Sequence, residues 1–196
     1  RSAVQNYRAI QILWAITGKY DVEGGMYING GRFPTAKLKK VPEQNQPIGS
    51  KEFPLFYGIV GQGQFSEIPK AVLNDDPYPV RGLLIAAASP ALTYPDKKLW
   101  HKVYEKLDFL VVNERFMSEE IMYADVVFPA TTYYENQIPV SSPLFGWKLR
   151  NRIIQPLGEA RNDVHILQAL AEKMGFGEAY PKSDEDTELW MLDGNR

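Results

Sequence analysis

The sequence predicts an α/β fold: a three-layer, mostly parallel sheet with a Rossmann-like βαβαβ core, plus an N-terminal helix and irregular extended segments. Three observations carry this. Gly82 to Ala88, Phe109 to Val112 and Val126 to Phe128 are apolar runs too short for buried helices, and two of them are rich in β-branched residues. Such runs suit strands covered on both faces. Between the first two, Leu99, Trp100, Val103, Tyr104 and Leu107 recur at the spacing of one helix face within Asp96 to Leu107. Between the second and third, Ser118 is a good N-cap, and Glu119 and Glu120 place negative charge at the positive end of a shorter helix. Strand, helix, strand, helix, strand implies a parallel sheet with right-handed crossovers.

The remaining elements follow in chain order. Val4 to Thr17 is apolar over most of a helical circumference, which predicts a helix buried between other elements, and Gly18 suits its C′ position. Asp21 to Gly31 holds four glycines and reads as a tight loop. Arg32 to Phe56, with Pro34, Pro42, Pro47 and Pro54, predicts an extended connection wrapped over a larger body. Gly58 to Gly63 reads as a turn, Phe65 to Leu73 as a short helix, and Asn74 to Pro77 as a break before the first strand. After Glu135, Gln137 to Trp147 reads as irregular and Leu149 to Gln155 as a short strand. Val164, Leu167, Leu170, Ala171 and Met174 mark a helix capped by Asn162 or Asp163 and stopped at Gly175. Ser183 to Leu192 predicts a weaker, acidic helix.

Composition bounds the function classes. A hydrophobic content of 44% over 196 residues supports a real core. The net charge of −2 and the single small basic cluster, Lys37, Lys39 and Lys40, argue against a nucleic-acid surface. The absence of cysteine excludes disulfides, thiolate ligands, cysteine-held iron–sulfur clusters and a cysteine nucleophile within this chain. His101 and His165 sit on different predicted helices, so a histidine-rich metal site is not expected. No apolar run is long enough to span a membrane. Both ends read as cut from something longer, and the expected division is 1–56 as an N-terminal helix and connection, 57–180 as the α/β unit and 181–196 as a helical tail.

In open parallel sheets, ligands bind beyond the carboxyl ends of the strands. Ser89 to Thr93, Asn113 to Phe116 and Pro129 to Asn136 occupy those ends. No GxGxxG or GxxxxGK[ST] loop follows a predicted strand. A carboxylate or amide at a strand end can take ribose hydroxyls or the N–H edge of guanine. The same residues can equally be loop-surface polar groups and helix caps, and pattern alone favours that second reading.

Four segments change the balance. ITGKYDVEGG resembles the LTGN-x-x-x-x-GG segment of the molybdopterin oxidoreductases, the dimethyl-sulfoxide reductase superfamily. LIAAASPALTYPD is similar to that family's G-x-NP-x-x-s-x-P-D loop, and LDFLVVNERFMSEEIMYADVVFPATTYYE to its block ending in ADvvLP-x-x-t-x-x-E. PLGEARNDVHILQALAEKMG resembles its P-x-GEar-x-D-w run. The matches keep the family order and span nearly the whole chain.

The resemblance implies the third of four domains of a catalytic subunit that binds molybdenum or tungsten through two molybdopterin guanine dinucleotides. It implies that the nucleotide end of one cofactor is held by Ser89, Asn113, Glu114, Asn136 and Asp163. Ser89 stands where the family often has asparagine, Glu114 where an acid contacts the guanosine, and Asn136 where relatives can have lysine; these are departures in reach and charge. Asp125 reads equally as a residue pinning a strand entry. No catalytic residue and no metal ligand is expected in this chain. Any iron–sulfur cluster would belong to missing regions of the parent, as would the redox chemistry. The implied partners are the remaining domains of the parent subunit and an iron–sulfur electron-transfer subunit. The thiosulfate or polysulfide reductase branch is the expected one. The alternative is a cofactor-free structural module of a respiratory-complex subunit. An isolated domain of this kind is also expected to self-associate through aromatic patches at Trp14 or Trp147.

Overall fold

The computed structural model describes residues 3–26, 46–142 and 146–192, with side chains at those positions except 3, 138–142, 146 and 147. The fold is α/β. Its centre is a three-stranded parallel sheet of β1 (Gly82–Ala86), β2 (Phe109–Glu114) and β3 (Val126–Pro129), in the order β1-β2-β3. The register pairs Leu83 with Leu110, Ile85 with Val112, and Asn113 with Phe128. Asp125 fixes the entry of β3: its carboxylate accepts the Leu110 N–H at 2.7 Å while its own N–H donates to the Leu110 carbonyl at 2.9 Å.

Before the sheet come α1 (Ala3–Ile16), α2 (Pro54–Val60) and α3 (Ile68–Asn74). Between β1 and β2 lie α4 (Pro90–Thr93) and α5 (Lys97–Lys106), and a 3-10 turn at Glu119–Tyr123 joins β2 to β3. The Asp96 carboxylate caps α5 by accepting the Leu99 N–H at 3.1 Å. Alternation along β1 and β2 puts Leu83, Ile85, Leu110 and Val112 on one face. Ile85, Leu110 and Val112 form a core there with Val72 of α3 and with Trp100, Val103 and Tyr104 of α5. Phe65 stacks on both Tyr94 and Trp100 at 4.4 and 5.2 Å and closes the edge of that core.

The chain then forms an antiparallel hairpin of β4 (Ile138–Ser142) and β5 (Gly146–Arg150), followed by α6 (Asp163–Lys173) and α7 (Asp184–Leu192). Asn162 caps α6, its side-chain oxygen accepting the Val164 N–H at 3.1 Å. Arg152 pairs with Asp184 at 2.9 Å, and Gln137 donates to Glu188 at 2.6 Å, so α7 is tied to the base of the hairpin.

Several expectations are corrected. The strands are not closed on both faces: Leu84 is 43% and Phe109 49% exposed, on the side away from α5. The apolar runs show that those positions favour cover, but they do not show that this chain supplies it. The same reasoning explains α1, whose apolar residues Tyr7, Ile12, Leu13 and Ile16 are exposed rather than buried. Gln137 to Trp147 is mostly hairpin rather than irregular, because Pro139 lies in a two-stranded ribbon, where a missing N–H is tolerated. The expected strand at Leu149 to Gln155 ends at Arg150. The turn read at Gly58 to Gly63 is the end of α2, with Pro54 in its first turn and Gly61 at φ +69° as its left-handed stop. Most of the Arg32 to Phe56 connection, with Lys37, Lys39 and Lys40, lies outside the described residues, as does the Trp147 side chain.

Candidate functional site

The carboxyl ends of β2 and β3 open into a hollow of about 220 Å³. The chain builds it from four pieces. Ala87 follows β1, turning at φ +50° while its N–H donates to the Asn113 carbonyl at 3.1 Å. Asn113, Glu114 and Arg115 come from the end of β2. Ala130, Thr131, Tyr133 and Asn136 follow β3. Arg150 ends β5, and Asp163 opens α6. A backbone bridge between Ala130 and Arg161 brings the start of α6 beside the tip of β3: Arg161 donates to Pro129 at 3.0 Å and Thr131 to Arg161 at 3.1 Å.

Four of the five sequence-predicted residues meet here: Asn113, Glu114, Asn136 and Asp163. Asn113 is only 4% exposed. Its amide donates to the Asp163 carboxylate at 2.6 Å, which fixes the amide plane, and its carbonyl oxygen is buried without a partner. A buried acceptor left unpaired costs roughly 1–3 kcal/mol, so such a group commonly marks a ligand position. Glu114 accepts the Arg115 N–H at 2.7 Å, and the Arg115 guanidinium lies 3.9 Å from the same oxygen. Asn136 donates to the Thr131 hydroxyl at 3.2 Å and accepts from Arg150.

Ser89 is not brought to the hollow. Its hydroxyl donates to Glu120 at 2.9 Å, as do the Ala91 N–H at 3.0 Å and the Tyr104 hydroxyl at 3.1 Å. Glu120 is 0% exposed. Burial alone would raise its pKa, but its own backbone N–H, that of Ala91 and the Ser89 hydroxyl hold the carboxyl below its ordinary range. Burial, then the Glu120 charge, pushes the Tyr104 phenol well above its usual value. Glu135 is a second covered carboxylate, 3% exposed, that organises the loop after β3. It accepts from the Thr132 hydroxyl and N–H at 2.6 and 2.7 Å and from the Leu157 N–H at 3.0 Å. These bonds, the Thr132 hydroxyl first, lower its pKa.

Sequence reasoning put Arg115, Thr131 and Tyr133 on strand-end loops without singling them out, and it missed Arg150. Arg150 had no sequence signal, since the hairpin that carries it there was not predicted. Its guanidinium lies 3.8 Å from the Tyr133 ring centroid, a cation–π contact. Among the described residues, no cluster of His, Asp or Glu has the geometry of a metal site.

The fold is shared with a solved protein. Acetylene hydratase from Pelobacter acetylenicus superposes with a TM-score of 0.69 at 20% identity, covering 86% of this chain and 28% of its own. The molybdopterin oxidoreductase family profile matches residues 1–173, and the chain belongs to that family, the dimethyl-sulfoxide reductase superfamily. The thiosulfate reductase molybdopterin-containing subunit PhsA of Salmonella typhimurium is 30% identical over 207 residues, which is 96% of this chain and 27% of that protein. The dimethyl sulfoxide/trimethylamine N-oxide reductase of Rhodobacter capsulatus is 32% identical over 101 residues, 50% of this chain and 12% of that protein. The chain thus spans about a quarter of the length of the relatives it matches along most of its own length. Among the described residues no helix is long and apolar enough to cross a membrane.

Proposed function

We propose that this chain holds the guanine-nucleotide end of a molybdopterin guanine dinucleotide within an oxidoreductase catalytic subunit. The carrying observation is the Asn113 carbonyl oxygen, buried at the strand tips and unpartnered, beside the carboxylates of Asp163 and Glu114. Three acceptors lining one hollow match the N1–H and N2–H groups that distinguish guanine. The hollow, about 220 Å³, is smaller than the ~300–1,000 Å³ of pockets that enclose whole ligands, which suits one end of a long cofactor. Residues 57–180 act as the nucleotide-holding unit. The bound cofactor supplies redox chemistry at its metal, and this chain supplies position. The likeness to a thiosulfate reductase molybdopterin-containing subunit supports the sulfur-compound branch; anaerobic respiration and an iron–sulfur subunit as electron partner belong to the same proposal.

A cofactor-free structural module is the second reading, and the engagement of Ser89 by Glu120 favours it at that one position. Calorimetric titration of the chain with GMP and with AMP separates the two. Heat of binding with GMP and little or none with AMP is expected; no heat with either overturns the nucleotide reading.

A further inference from the structure

The acceptor-rich lining accounts for only one edge of a guanine, and Arg150 stands in the hollow with a donor to spare. Its plane is set on two sides: the guanidinium lies against the Tyr133 ring, and one terminal N–H is held by the Asn136 side-chain oxygen. Its Nε–H is buried and has no partner. A guanidinium fixed in this way is a rigid planar fork with an unused in-plane donor, which recognises a pair of acceptors in one plane. The charges of the hollow limit what those acceptors can belong to. Glu114 and Asp163 are matched by Arg115 and Arg150, so the lining is formally neutral. A neutral lining favours an uncharged group with donors on one edge and acceptors on the next over a doubly charged phosphate. Guanine is such a group: N1–H and N2–H lie beside O6 and N7.

We propose that Arg150 is the residue that reads the O6 and N7 edge of the bound guanine, with Tyr133 and Asn136 as its positioning residues. This rests on the nucleotide reading above and adds the residue that sets base specificity. It also assigns the hairpin its purpose, since β5 is what delivers Arg150 to the hollow.

The test is titration of the wild-type chain and of Arg150→Met and Arg150→Lys with GMP, guanosine and 7-deaza-GMP, with circular dichroism confirming the fold of each variant. Wild type is expected to bind 7-deaza-GMP about five-fold or more weakly than GMP, since one acceptor is gone. Arg150→Met is expected to lose about ten-fold or more, by the same factor for GMP and guanosine. Arg150→Lys is expected to remain well below wild type for both, because the charge returns without the fork. Equal wild-type affinity for GMP and 7-deaza-GMP overturns the assignment without needing any variant. Loss confined to GMP, or rescue by lysine of GMP alone, would make Arg150 a phosphate ligand and also overturn it. Wild-type binding of GMP that Arg150→Met leaves unchanged removes Arg150 from the site but keeps the nucleotide reading. No binding of GMP by wild type ends both.

Discussion

Asn113 and Asp163, fifty positions apart in sequence, meet at 2.6 Å across the strand tips, and the contact turns the Asn113 carbonyl oxygen into a fixed acceptor with nothing opposite it. The bond joins the end of β2 to the first residue of α6, so the proposed base recognition depends on two elements distant in sequence.

Asp163→Asn keeps an oxygen for Asn113 to bond and removes only the charge. GMP affinity is expected to fall about ten-fold, as a charge-assisted pair becomes a neutral one. Folding stability is expected to stay within about 0.5 kcal/mol, because Asp163 is exposed. Calorimetric titration and a urea melt of the same variant read the two effects apart.

Glu120 carries a different kind of load. It is a buried charge stabilised by hydrogen bonds from Ser89, Ala91 and Tyr104. Glu120→Gln sets an amide donor against those donors and is expected to cost about 3 kcal/mol. Tyr104→Phe removes one donor and is expected to cost about 1 kcal/mol. Urea denaturation at neutral pH checks both values.

Acid should loosen the fold through the same groups. Glu120 and Glu135 both have folded pKa values below the ordinary carboxylate value of about 4.3. Their contribution is therefore fully present above about pH 4.3 and is lost as pH falls through the lowered folded values. Melting temperature followed from pH 7 to pH 3 is expected to be nearly flat at first and then to fall steeply. Glu135→Gln should melt lower at neutral pH and show a shallower acid limb.

The closed and open faces of the sheet make a paired prediction. Leu110→Ala, in the core under α5, is expected to cost about 2–5 kcal/mol. Leu84→Ala, on the open face, is expected to cost less than about 1 kcal/mol. Similar costs for the two would show that the second face is covered in solution, as self-association would produce.

The parallel sheet was legible because its strands announce themselves locally: β-branched runs such as Leu110 to Val112, separated by a helix with Trp100, Val103 and Tyr104 at helical spacing. Family motifs then located four of the hollow's residues. The roles that escaped depend on distant partners. Glu120 reads as an exposed first-turn acid until Tyr104 and Ser89 are seen around it. Arg150 reads as one more surface cation until the hairpin folds it over Tyr133. The exposure of α1 was illegible for the opposite reason: an apolar circumference records a need for cover and is silent on which chain provides it.

Because Glu120 is held by the neutral donors of Ser89, Ala91 and Tyr104, its charge is tolerable only while the segments around Ser89 and Ala91, the α5 helix and the Glu119–Tyr123 turn are all in place. Detaching any one strands an ion in an apolar interior, so the three must open together. In hydrogen exchange they would trade their amides as a single unit, which makes the rim on the β1 side of the sheet one cooperative block.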